Sequence, residues 1–274
     1  MDNGHLAANL RTLCGNYRSV AEVCRRIGIN RQQFNKYLSG ATAPSLHTLK
    51  RICDFFGVDE AEIFLAPGEF HALTSLKRPG PQAVSPLAAA VERVAALHPD
   101  SQQKLRRYCG YYSSYFRSPA FPGMVFRTLY VMYQKGDHTY TKAIERMSDP
   151  RRPTAGVPVS KYLGTVLFAE DRIYLMEYSP IAHQTFALTV LYPSFRSHIH
   201  LLSGLCLAVS GGPGRQAGSM RMVFEYLGET VNLRDAIRRC GIYPEDSDEI
   251  GVDIRDRVRN AIGPDEQTLC ALPY

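Results

Sequence analysis

The chain has 274 residues, 45% of them hydrophobic, a formal charge of +6 and an isoelectric point near 8.9. That length allows two modest domains or one large one, and the apolar share is enough for at least one buried core. The small basic excess excludes a histone-like polycation, so any contact with a polyanion must come from a local patch. Seven cysteines are scattered along the chain with no C-x-x-C pair and no Cys/His spacing of a zinc site. Free, mostly buried thiols in a reducing compartment are the expectation, and only Cys24 and Cys240 have basic neighbours. The opening MDNGHLAANL lacks a charged region ahead of an apolar one, and no apolar run has the length of a membrane span. A soluble, cytoplasmic protein without a membrane partner is expected.

Five short helices are predicted first, at about 5–15, 20–27, 31–39, 45–56 and 60–65. Leu6, Leu10 and Leu13 share one helical face, Val20, Val23 and Ile27 a second, and Leu46, Leu49, Ile52 and Phe56 a third. Ser19-Val-Ala-Glu22 and Asn30-Arg-Gln-Gln33 have the form of capping boxes, and Pro44-Ser45 and Asp59 open further helices. Only Gly28, Ile29 and Asn30 separate the second helix from the third. Gly28 suits a positive φ, and Asn30 suits a cap. A helix, a tight turn and a second helix at a steep angle follow. The third helix, RQQFNKYL, has no carboxylate, and Phe34 and Leu38 are its expected anchors to the core. Between Ser19 and Arg51 the bases are Arg25, Arg26, Arg31, Lys36, Lys50 and Arg51, against one acid, Glu22.

Val23-Cys24, Gly28-Ile29-Asn30, Phe34, Gly40, Pro44-Ser45, Leu49 and FFGVDEAEIF ending at Phe64 together resemble the phage-repressor and Cro-like (XRE) helix-turn-helix family over about residues 5–66. Cys24 stands where that family usually has alanine, and Leu38 where it often has glutamate. The resemblance implies that the third helix enters the major groove of double-stranded DNA. By family position Arg31, Gln32, Asn35 and Lys36 would read base edges. Arg suits guanine O6 and N7, and Gln or Asn suits adenine N6 and N7. Ser19, Gln33, Ser39, Thr42 and Lys50 would hold the phosphate backbone. Operators of this family are usually read by dimers, so a homodimer is expected.

Residues 67–84 are rich in proline and read as a linker, followed by connecting helices over 85–117. Ser85-Pro86 opens one helix. Leu105, Tyr108, Cys109, Tyr112 and Phe116 then fall at helical spacing as an aromatic stripe, read as packing onto the following domain, a dimer interface or the wall of a pocket. From about residue 118 to 274 the pattern alternates, and six to eight mostly antiparallel strands are predicted, with hairpins at Gly136-Asp137 and Glu170-Asp171. Two helices are expected near Leu233–Arg239 and along Ile250, Ile254, Val258 and Ile262. The fold class is α+β: an all-α DNA-binding module and a β-rich domain of unassigned family.

The second half carries no serine elbow, no H-E-x-x-H and no recognisable carboxylate pair, so it is read as something other than an enzyme and without a cofactor. GGPGRQAG reads as a hairpin loop rather than a dinucleotide fingerprint, and His198 and His200 as strand residues without a third metal ligand. Arg127, Tyr130, Tyr133, Tyr162, Arg172, Tyr174, His183 and Arg196 are candidates to line a pocket for a small anionic or aromatic effector. The expected function is a sequence-specific transcriptional regulator whose second half senses an effector, mediates assembly, or both. The alternatives are a DNA-tethered enzyme or a docking module for another protein.

Overall fold

A computed structural model of the chain describes residues 3–15, 17–74, 86–149, 159–180, 185–210, 215–264 and 266–272. The chain divides into two compact units. One contains the described residues up to 74 together with Asn232–Arg238, and the other contains the rest.

The first unit is helical: α1 (Gly4–Cys14), α2 (Val20–Ile27), α3 (Arg31–Leu38), α4 (Leu46–Phe56), a 3-10 turn at Glu62–Phe64 and α5 (Pro67–Thr74). Leu6, Leu10, Val23, Phe34, Leu49, Ile52 and Ile63 form its core. The buried Asn9 side chain donates from Nδ2 to the carbonyls of Ile63 (2.9 Å) and Leu65 (2.8 Å), fastening α1 to the far end of the unit. Part of the expected linker is therefore helix. Pro67 occupies the first position of α5, where a missing N–H costs nothing, and Phe70 and Leu73 are buried. The short helix Leu233–Arg238 (α8) belongs to this unit, and its Arg234 donates to the Asn3 side chain and lies over the Phe64 ring.

The second unit begins with α6 (Pro86–Ala96) and α7 (Ser101–Leu105), with a 3-10 turn at Arg106–Tyr108. Its strands are β1 (Gly110–Phe116), β2 (Met124–Lys135), β3 (His138–Arg146), β4 (Val159–Ala169), β5 (Arg172–Tyr178), β6 (Phe186–Leu191), β7 (Leu201–Val209), β8 (Ala217–Gly228) and β9 (Gly241–Pro244). Strands β1 to β8 run as an antiparallel meander, and β1 pairs with both β2 and β8, which closes an eight-stranded barrel. Strand β9 pairs with the start of β2, beside the stretch that β3 leaves unpaired. The helix Val252–Arg257 (α9) follows, and Ile254 packs with Tyr115, Val125, Val223 and Tyr243 in a second core on the outer face of the barrel.

One sequence expectation is corrected here. The aromatic stripe expected to be helical is helical only to Tyr108, and residues 110–116 are a barrel strand. Its tyrosines therefore alternate. Tyr112 faces inward with Phe224 and Tyr130, whereas Tyr115 faces the outer core. His198 and His200 precede β7 and are not strand residues. The hairpins at Gly136-Asp137 and Glu170-Asp171 stand where expected, and β7 and β8 flank the glycine-rich stretch as an antiparallel pair. Residues 211–214 of that stretch lie outside the described residues.

Strand parity fixes the barrel interior. At the end where β1 begins, Leu105 and Tyr108 pack with Phe168, Ile173 and Leu191, and Ser101 Oγ accepts the Phe168 N–H (2.8 Å). This end is filled. At the opposite end, where β3, β5 and β7 finish, the described residues surround a cavity.

Candidate functional site

In the first unit the sequence positions α3 by local chemistry. Ser19 Oγ accepts the Glu22 N–H (3.2 Å) and starts α2. Gly28 ends it at φ 73°, a left-handed conformation that a Cβ would strain. Arg51 donates from Nη2 to the Ile27 carbonyl (2.6 Å), so it caps α2 from across the unit. Asn30 Oδ1 then accepts from the N–H groups of Gln32 (2.8 Å) and Gln33 (3.4 Å) and starts α3. The far end of α3 is tied to α1, where Arg11 donates to the Leu38 carbonyl (2.9 Å).

Phe34 and Tyr37 are the buried residues of α3, and Leu38 is half-buried. The expected anchor pair is thus corrected, because Tyr37 lies three residues after Phe34 on the face turned to the core. Arg31, Gln32, Asn35 and Lys36 are all exposed, and their side chains make no hydrogen bond or salt bridge among the described residues. They fall at i, i+1, i+4 and i+5, which places them together on the side away from Phe34 and Tyr37. Ser19, Ser39, Thr42 and Lys50 are exposed around this face. Gln33 is exposed on the flank and donates to the Tyr37 hydroxyl (3.0 Å). The arrangement is a capped, rigid helix with an acid-free polar surface, suited to hydrogen-bonding base edges while its rim meets phosphate.

Residues 15–67 match the family model of the Cro/C1-type HTH DNA-binding domain. This segment is a Cro/C1-type DNA-binding domain. Such a domain implies binding to double-stranded DNA and supports a DNA-binding transcription regulator. No curated protein and no solved structure matched the chain. Beyond the Cro/C1-type domain, no helix among the described residues is long and apolar enough to cross a membrane, and no group of three or more His, Cys, Asp or Glu side chains there could hold a metal ion.

Substitutions at Arg31 and Lys50 of the Cro/C1-type domain would separate base reading from backbone contact. Arg31→Ala is expected to lose about 1–3 kcal/mol on the preferred sequence and to relax the choice of one base pair. Lys50→Ala is expected to weaken every sequence alike and to lower the salt slope by about one. Equal losses for Arg31→Ala on preferred and scrambled duplexes, measured by fluorescence anisotropy at several salt concentrations, would remove Arg31 from base reading.

The second unit holds a cavity of about 350 Å³ inside the end of the barrel where β3, β5 and β7 finish. Phe116, Phe126, Met220 and Met222 line it, with Tyr130, Tyr162 and two carboxylates, Glu145 and Glu177. Both acids are inward residues of their strands and are 6% and 2% exposed. Glu177 accepts from Thr141 Oγ1 (2.8 Å) and from the Tyr130 hydroxyl (3.2 Å). Gly164 makes the first of these bonds possible. It lies between Thr141 and Glu177 across β4, and a Cβ there would sit 2.6 Å from Thr141 Oγ1 and 2.7 Å from Glu177 Cγ. Glu145 makes no hydrogen bond or ion pair among the described residues. Burial raises both carboxyls from the ordinary range to about 7, the hydroxyl bonds to Glu177 acting in the opposite direction.

Of the eight residues expected around an effector, Tyr130 and Tyr162 line this cavity. The others do not. Arg127 faces the outer core, over the Tyr115 ring. Tyr133 packs on Tyr140 and carries the Lys142 ammonium over its ring. Arg172 lies over Tyr192 and pairs with Asp171. Tyr174 alternates with the inward Ile173 and Leu175. Arg196 lines a separate, smaller cleft with His200, Asp253 and Arg257. His183 lies outside the described residues. Among the described residues no lysine or arginine lines the barrel cavity, and its charged groups are the two acids. Glu145 and Glu177 were missed because a lone acid in a strand reads as a solvent-facing residue. Parity could have found them: Glu145 follows Thr141 and Ala143, and Glu177 follows Ile173 and Leu175, on the inward face.

Proposed function

We propose that this regulator reads a specific duplex sequence with α3 and responds to a small molecule held inside the barrel. The observation that carries the reading is the cavity itself. A filled barrel would serve assembly alone, whereas this one keeps a concave, mostly apolar volume with a few polar groups directed into it, the usual form of a small-molecule site. The cavity volume is within the range of about 300–1,000 Å³ typical of such sites. The proposal includes a homodimer, because one short recognition helix covers little of a groove and two copies would grip half-sites about one helical turn apart. Sensing requires that the ligand bind the DNA-competent and incompetent states with different affinity.

The test begins with selection of preferred duplexes from a random pool by the full-length chain, followed by sedimentation of the complex. A site with twofold symmetry occupied by two chains is the expected result. Filling the cavity by Met220→Trp should abolish any ligand-dependent change in DNA affinity while leaving DNA binding itself intact. A regulator whose DNA affinity responds equally with the cavity filled would sink the sensing role. A second reading, the barrel as an enzyme, draws on the two cavity carboxyls that titrate near neutrality, a property suited to proton transfer. Turnover by the barrel that is lost in Glu145→Gln would favour it. The reading adopted is a sensor.

A further inference from the structure

We propose that the barrel cavity takes an organic cation, an apolar body ending in a protonated amine whose N–H groups donate to Glu145, with Glu177 beside it. This rests on the sensing reading above and names the chemistry of its ligand. Three observations converge. The cavity wall is aromatic and thioether at Phe116, Phe126, Met220 and Met222, a surface that suits an apolar body and attracts cations at ring faces. Its only charged groups among the described residues are two acids, with no base to neutralise them. Glu177 already has both oxygens engaged by hydroxyl donors, so it is held in place, whereas Glu145 is buried, directed into the cavity and without a partner among the described residues. A buried acceptor without a donor is costly, and a ligand ammonium would supply both the donor and the opposite charge.

The groups that face the two carboxylates are known from every strand around them. Tyr130 on β2 and Tyr162 on β4 titrate far above neutrality, and Cys206 on β7 is pushed up to about 11. Strands β1, β6 and β8 present Phe116, Ala187, Met220 and Met222. Among the described residues that line the cavity, only the two acids therefore change charge near neutral pH. When an ammonium enters below neutrality, the Glu145 carboxyl passes its proton to the buffer, and the ammonium N–H donates to the carboxylate that remains. Binding should release protons and strengthen as the pH rises through neutrality.

The experiment is titration calorimetry on the full-length protein with phenylbutylamine, phenylhexylamine and phenyloctylamine, each beside its matching alcohol and carboxylate. It is run in two buffers of different ionisation enthalpy, at about pH 6 and about pH 8. The expected result is that an amine binds at least about tenfold more tightly than its alcohol, that the carboxylates bind least, and that protons are released at the lower pH. Glu145→Gln should cancel the amine preference, bringing the affinity for each amine down to that for its alcohol. Met220→Trp should abolish all of it, and circular dichroism would confirm that both variants are folded. Alcohols or carboxylates binding as well as amines would overturn the cation while leaving a small-molecule sensor in place. An amine preference that survives in Glu145→Gln would place the cation elsewhere and would also overturn it. No binding by any of the three series would overturn both the cation and the sensing cavity.

Discussion

Raising the pH from about 5 to about 8 is expected to destabilise the barrel by several kcal/mol, and Glu145→Gln is expected to remove about 3 kcal/mol of that loss. The sign follows from the direction of the shifts. Glu145 and Glu177 are both raised from 4.5 to about 7 in the folded chain. Between those values the folded barrel holds protons that the unfolded chain has released, so stability is fully present below about 4.5 and falls as the pH rises to about 7. This is the reverse of the common carboxylate that is paired in the native state and loses its contribution in acid. Chemical denaturation of the full chain across this range, followed by tyrosine fluorescence, is the measurement. The variant should be the more stable protein at high pH, since a neutral amide avoids burying an unpaired charge. Superimposable pH profiles for the two proteins would mean that Glu145 is solvated in the native state.

Phe34→Ala is expected to destabilise the helical unit by about 3–5 kcal/mol and to abolish DNA binding, with the barrel still folded. Phe34 is fully buried, packs edge-on to Tyr37 with ring centroids 6.3 Å apart, and is one of two residues that hold α3 to the core. The reading face of α3 is otherwise all exposed, so nothing else fixes its orientation except the ties at its two ends. A set of base contacts depends on that orientation to within a fraction of an ångström. Hydrogen exchange would show the loss as faster exchange in α2 and α3 while the barrel strands stay protected. Retained protection in α3 would show that the caps suffice without the anchor.

The DNA-binding unit was legible in the sequence because its signals are local. Ser19, Gly28 and Asn30 act within a few residues of themselves, and the absence of acids from RQQFNKYL is visible without any tertiary information. Only the second anchor was misassigned, since Leu38 and Tyr37 are neighbours on one helical turn. The barrel strands were legible as alternation and their tight hairpins as Gly136-Asp137 and Glu170-Asp171. Closure was not, because it depends on pairs such as Tyr112 with Tyr226 that are more than a hundred residues apart and have no local signature. The segment around Tyr108 to Phe116 fits a helical face as well as an alternating strand, and the distant partner decided between them. The cavity was read by its aromatics, which gave Tyr130 and Tyr162, and its arginines were assigned by composition alone. The three arginines of that set lie outside the barrel interior: Arg127 is buried in the outer core over Tyr115, Arg172 lies over Tyr192, and Arg196 is exposed.

The strand that shuts the barrel comes from the stretch just before residue 118, next to the helices rather than among the other strands of the sequence. A truncated fragment started at residue 118, where the alternating pattern becomes obvious, would lack it. Such a fragment would leave the long edges of β2 and β8 without their neighbour, two rows of open backbone donors and acceptors ready to recruit another chain. Cloning the barrel on its own therefore calls for a cut upstream of Ser101, which keeps both the seam and the plug at the filled end.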